Sequence, residues 1–119
     1  MGIRDETFYG KDHVGCEHLR KAVERCKPRI HCFGHIHEGW GAERMDWKKK
    51  TTTELVEVDG EKVLEDRGVY LDLSGSGERP LRWGEETMFI NASIMNVHYK
   101  PVNAPWIVHL DLPMEQKDA

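Results

Sequence analysis

The segment His31-Cys32-Phe33-Gly34-His35-Ile36-His37-Glu38-Gly39-Trp40-Gly41 leads from apolar residues into a glycine and two closely spaced histidines. If His35-Ile36-His37 is extended, the two-residue period of a strand puts both imidazoles on the same side of the backbone. Two imidazoles on one side can bind a metal ion or a pair of ions. Gly34 would let the backbone turn sharply and come close to the bound ion. A polar loop with scattered histidines is the alternative interpretation.

The residues before this segment predict a helix followed by a strand. Leu19, Val23 and Cys26 recur at helical spacing, so residues 16–26 are predicted to form an amphipathic helix. Residues 29–33 are predicted to form a short strand. A ligand loop at the carboxyl end of a strand is the usual position of a site in an α/β sheet.

The residues after this segment predict mainly strands and loops. Residues 38–53 are predicted to be a loop. The Asp59-Gly60 pair, between two apolar runs, predicts a hairpin over residues 54–64 with a two-residue turn. Three further strands are predicted at residues 69–73, 87–90 and 106–112.

Composition limits the class of protein. The 119 residues are 39% hydrophobic and 32% charged, which fits one globular domain or a piece of a larger one. The net charge of −4 argues against a nucleic-acid backbone as the main partner. No apolar run approaches the ~18 residues of a membrane helix. With three cysteines and no export signal, we expect reduced thiols and a cytoplasmic location.

The motif Gly34-His35-Ile36-His37 resembles the last signature, Gly-His-x-His, of the calcineurin-like metallophosphoesterases. Residues 13–41 resemble the helix, strand and ligand loop of the small metallophosphoesterase-domain branch, and residues 87–113 resemble its final strands. Residues 42–86 are only loosely similar. The resemblance implies an α/β fold, the C-terminal half of a two-sheet, four-layer (αββα) sandwich. Residues 1–113 would form this partial domain, and residues 114–119 a disordered tail.

The earlier signatures of that family do not occur in this chain. Its Asp-x-His is not matched, because Asp12-His13 lacks the spacer and His109-Leu110-Asp111 runs in the wrong order. Its Gly-Asn-His is not matched, because Asn91 is followed by Ala92. No Gly-Asp-x-x-Asp occurs. The chain therefore resembles the part of the domain that follows the fourth signature.

The resemblance also implies a metal site. In the family pattern two divalent ions, about 3.5–4 Å apart, hold the attacking hydroxide and the phosphoryl oxygens. His35 would bind the second ion and His37 the first, and Mn, Fe or Zn would suit such ligands. Gly34, Glu38 and Asn91 are candidates for supporting these ligands. The bridging aspartate and the other ligands are not in this chain, and no catalytic residue is assigned.

The function implied is metal-dependent hydrolysis of a small-molecule phosphoester, such as a phosphodiester, by the intact domain. The chain alone is expected to be weakly active or inactive. A half-domain would expose one face of its sheet, which predicts poor solubility, a partner protein or a homo-oligomer. One alternative is a degenerate, non-catalytic interaction protein. Another is a small zinc-binding module that uses Cys26, Cys32, His35 and His37.

Overall fold

The computed structural model describes Arg4 and residues 16–114. These residues form two α-helices, six strands and one 3-10 turn, an α/β arrangement with mixed sheets. None of the helices in this part of the chain is long and apolar enough to cross a bilayer. In chain order the elements are α1 (Glu17–Cys26), β1 (Ile30–Phe33), the 3-10 turn (His37–Gly39), β2 (Gly41–Asp46), β3 (Thr51–Leu55), α2 (Gly60–Asp66), β4 (Val69–Asp72), β5 (Glu86–Asn91) and β6 (Trp106–His109).

Strand β5 is the centre of a four-stranded sheet in the order β1-β5-β2-β3. It runs parallel to β1 and antiparallel to β2, and β2 pairs antiparallel with β3. Every residue of β5 is buried, which fits its continuous apolar sequence Met88-Phe89-Ile90. Strands β4 and β6 form a separate parallel pair.

Alternation along β5 divides the apolar core between the two faces of the sheet. Phe89 packs on one face with Val23 of α1, Met45 and Trp47. Met88 and Ile90 point to the opposite face, as the two-residue period requires. There they pack in a second cluster with Ala42 and Leu73, against which residues of β4 and β6 also pack.

The structure confirms the predicted helix and four of the predicted strands. Helix α1 begins one residue after the predicted start and ends at Cys26 as predicted. Strands β1, β4 and β5 match their predicted ranges to within a residue. Strand β6 ends at His109 rather than residue 112. Of the tail predicted at 114–119, only Met114 lies within the described residues, and it is exposed.

The prediction of a loop over residues 38–53 is wrong, because these residues include β2 and most of β3. The sequence of β2 contains Arg44 and Asp46, yet both side chains are buried. The Arg44 guanidinium donates to Glu54 and Glu86 at 3.0 and 3.3 Å, and to the carbonyls of Arg79 and Pro80 at 2.7 and 3.2 Å. Because the Arg44 charge is neutralised in this way, β2 can occupy a buried position despite its polar sequence.

The predicted hairpin at Asp59-Gly60 is also wrong, because Gly60–Asp66 is helix α2. The Asp59 carboxylate caps this helix by accepting hydrogen bonds from the backbone N–H groups of Glu61 and Lys62 at 3.0 and 3.4 Å. Aspartate is a preferred N-cap residue because its oxygen satisfies N–H groups that have no partner within the helix. The Asp-Gly pair thus begins a helix here instead of reversing a strand.

Candidate functional site

The motif Gly34–His37 lies at the carboxyl end of β1, next to the carboxyl end of β5. These two parallel strands pair in register so that Phe33 is opposite Asn91. The motif therefore leaves the sheet at the same edge as the residues that follow β5. Side chains from two separate parts of the sequence meet here, as expected at the carboxyl ends of parallel strands.

The backbone of this loop differs from the expected extended form. His35 is in the left-handed region, with φ +69°, and His37 begins the 3-10 turn. The extended backbone, on which the expected alignment of the His35 and His37 imidazoles depended, is therefore not formed. Gly34 does not supply the unusual conformation either, because it is not among the glycines with a positive φ, and a Cβ there would make only an ordinary contact with Ser93 Oγ at 3.6 Å. The sharp turn is made at His35.

His37 has a defined orientation. Its Nδ1 lies 3.1 Å from the backbone carbonyl oxygen of Asn96. Since a carbonyl only accepts, Nδ1 carries the proton in this contact, and in the neutral imidazole Nε2 then keeps the lone pair that a metal ion needs. A backbone carbonyl on the far nitrogen is the usual arrangement behind a metal-binding histidine. The His37 side chain is partly buried, whereas His35 is exposed.

Asn91 joins the motif to two other segments. Its side chain is fully buried at the end of β5. The amide nitrogen donates to the carbonyls of Ile36 and Arg4 at 2.8 and 2.9 Å. The side-chain oxygen accepts from the backbone N–H of Ser93 at 3.1 Å. Asn91 therefore holds the backbone between the two histidines; support of a metal ligand by it remains a prediction.

Sequence reasoning missed Arg4, which lies far from the motif in sequence. Its guanidinium donates to the carbonyls of Gly39, at 2.9 Å, and Trp40, and it pairs with Glu43 at 3.4 Å. Gly39 and Gly41 leave the space for it, since a Cβ at either position would overlap an Arg4 atom. No such contact is predicted from Gly39 and Gly41 in the sequence.

The described residues do not supply a complete set of metal ligands. Within Arg4 and residues 16–114, no group of three or more His, Cys, Asp or Glu side chains is placed to hold a metal ion. Cys26, Cys32, His35 and His37 thus do not gather into a zinc site, and both cysteines are exposed. The alternative of a small zinc module has no support from the placement of these four side chains. Among the described residues, His37 Nε2 makes no contact that would occupy it in the neutral imidazole, and its binding of a metal ion stays a prediction.

Glu38 lies in the 3-10 turn and is exposed. The structure does not place its carboxylate in a ligand cluster with the histidines of the described chain. Its role in orienting an imidazole stays a prediction.

Sequence comparison with known proteins gives the family relationship. The chain is 32% identical over 114 residues to "Metallophosphoesterase domain-containing protein 1" of Homo sapiens, and equally so to that of Mus musculus. The chain is homologous to metallophosphoesterase domain-containing protein 1. The match covers 95% of this chain but only 23% of the human and mouse proteins. This fits a C-terminal fragment of a metallophosphoesterase.

Other comparisons add little. A UPF0046 protein of Caenorhabditis elegans is 44% identical over 41 residues, which are 34% of this chain and 13% of that protein. No family model and no solved structure matches the sequence.

Proposed function

We propose that this chain is the C-terminal section of a metal-dependent phosphoesterase domain and contributes His35 and His37 to its metal centre. The observation that carries the proposal is the hydrogen bond between His37 Nδ1 and the Asn96 carbonyl, which leaves Nε2 available. Homology to metallophosphoesterase domain-containing proteins supports it independently. The remaining ligands, including an acidic bridge, would come from sequence outside these 119 residues.

The sheet supports a larger parent fold. Strand β1 pairs with β5 on one side, and its other edge has no strand partner among the residues that the structure describes. An open edge next to the ligand loop could accept a further strand. In this proposal residues 1–113 form half of the four-layer sandwich.

The reaction proposed is hydrolysis of a small-molecule phosphoester, such as a phosphodiester. A divalent ion, when bound, would supply an activated hydroxide and neutralise charge on the phosphoryl oxygens. The chain's own contribution is to present His37 Nε2 in a fixed tautomer, while Asn91 holds the carbonyl of Ile36. We further propose that the metal is Mn, Fe or Zn and that the protein is cytoplasmic. A partner protein or a second copy would cover an exposed sheet face.

The test is Mn²⁺-dependent hydrolysis of an aryl phosphodiester, measured for the 119-residue chain and for the full-length product of its gene. We expect the full-length protein to be active and the short chain to be weakly active or inactive. His37→Ala should lower the full-length activity by at least about 100-fold, since loss of an outer-sphere partner alone costs about 10–100-fold.

The matched control is His18→Ala, because His18 is exposed on helix α1 and is not part of the motif. It should leave activity unchanged. Hydrolysis that is indifferent to His37→Ala, or no hydrolysis by any form, would refute the proposal. The second result would favour the degenerate, non-catalytic alternative.

A further inference from the structure

Side chains within the loop that follows β5 hold its backbone in place through hydrogen bonds. Asn103 donates from its amide nitrogen to the carbonyls of Ser93 and Met95 at 2.9 and 3.0 Å. The Asn96 side-chain oxygen accepts from the backbone N–H groups of His98 and Lys100 at 2.9 and 3.1 Å. Residues 93–103 thus form a defined loop that needs no regular secondary structure, and we call it the Asn loop.

The Asn loop holds Tyr99 against His37. The Asn96 carbonyl accepts both from Tyr99 N–H, at 3.0 Å, and from His37 Nδ1, at 3.1 Å. The two rings meet nearly perpendicularly, with centroids 5.5 Å apart. One carbonyl therefore fixes both the candidate ligand and the aromatic residue beside it.

The conformation and exposure of Tyr99 are unusual for a packing residue. Its φ is +59°, a region that bulky side chains rarely adopt. Strained residues of this kind cluster at functional sites, because the surroundings must over-determine them. The Tyr99 side chain is nevertheless 75% exposed, so packing against His37 uses little of its surface. Most of the ring is presented to solvent beside the candidate metal ligand.

We propose that Tyr99 is a specificity-determining residue that stacks on a flat aromatic ring in the organic group of the phosphoester substrate. The proposal rests on the proposed function, since it requires the phosphoryl group to lie near His37. A ligand ring offset on the exposed tyrosine would gain an aromatic contact that a saturated ring of similar size lacks. Substrates whose organic group carries an aromatic ring would therefore bind more tightly than those with a saturated ring.

The test compares two non-hydrolysable inhibitors, benzylphosphonate and cyclohexylmethylphosphonate, against aryl phosphodiester hydrolysis by the full-length protein. Neither has a leaving group, so only the ring differs. We expect benzylphosphonate to have the lower inhibition constant by about 3- to 10-fold, the range of a favourable aromatic pair. Tyr99→Leu should abolish that ratio, and Tyr99→Phe should keep it.

The ratio separates recognition from a merely structural effect. If Tyr99 only packs on His37, Tyr99→Leu will change both inhibition constants together and leave their ratio unaltered, which would overturn the inference. If the ratio is unaltered but His37→Ala abolishes hydrolysis, only the inference about Tyr99 fails and the proposed function stands. If no hydrolysis depends on His37, the proposed function and this inference fall together.

Discussion

Asn91 is the residue whose loss should disturb the candidate site most. It has no exposed surface and makes three hydrogen bonds, to the carbonyls of Ile36 and Arg4 and from the N–H of Ser93. At roughly 1 kcal/mol for each net hydrogen bond, Asn91→Ala should cost about 3 kcal/mol. Since Ser93 is itself buried, its orphaned N–H adds to that penalty.

Asn91→Asp gives a sharper test, because it changes charge with little change in shape. The aspartate can still accept from Ser93 N–H, but its second oxygen would face the two carbonyls that the amide nitrogen now contacts. Burial and these carbonyls favour the protonated acid, which raises its pKa in the folded state. Stability would then be retained at pH values below the unfolded pKa, about 4, and lost as pH rises through the folded pKa.

The assay is urea unfolding of the purified protein at pH 4 and pH 7, together with Mn²⁺ titration of the full-length form. The control is Asp59→Ala, which removes two hydrogen bonds at the start of helix α2 and touches neither Ile36 nor the Asn loop. Both alanine variants should be destabilised, and only Asn91→Ala should also weaken Mn²⁺ binding. An Asn91→Asp protein as stable as the parent at pH 7 would refute this account of the loop.

Three further predictions concern stability. Arg44→Met should cost about 2–3 kcal/mol in urea unfolding, because the carbonyls of Arg79 and Pro80 lose this donor while Glu54 and Glu86 keep Arg79 and Arg82 as partners; a loss below about 1 kcal/mol would contradict this. Burial lowers the pKa of His31, so its protonation opposes folding as pH falls below about 6.5, and His31→Phe should reduce the loss of stability between pH 6.5 and 5. Gly39→Ala should be strongly destabilising in thermal unfolding, because its Cβ would overlap the Arg4 carbonyl, whereas Gly60→Ala has open space and should be neutral or stabilising.

The elements predicted from the sequence are those whose signals are local. Helix α1 shows its apolar period, and β5 shows a short apolar run, so neither needs information from elsewhere in the chain. Strand β2 could not be predicted in this way. Its buried Arg44 becomes acceptable because Glu54, Glu86 and two backbone carbonyls lie beside it, and Glu86 is 42 positions away in the sequence. From sequence alone, a charged residue is predicted to be exposed to solvent unless the distant residue that pairs with it is known.

Helix α2 was mispredicted for a different reason. Asp-Gly serves both as a two-residue hairpin turn and as the start of a helix, since the aspartate oxygen can accept from N–H groups two and three residues later. Local sequence does not decide between these uses. Among the residues that the structure describes, no strand pairs with residues 61–64, and the helix satisfies their backbone groups instead.

The candidate site shows how far a motif can be read. The sequence located the loop of His35 and His37 and singled out Asn91 near it, because glycines, histidines and strand ends are visible locally. It did not predict the geometry, since the two unusual backbone positions, His35 and Tyr99, are not glycines and carry no sign of their positive φ. The Asn96 carbonyl that orients His37 is likewise a backbone group, which no side-chain motif can reveal. The candidate metal ligands can therefore be recognised in the sequence. The contacts that orient their side chains depend on how the Asn loop folds against the end of β1.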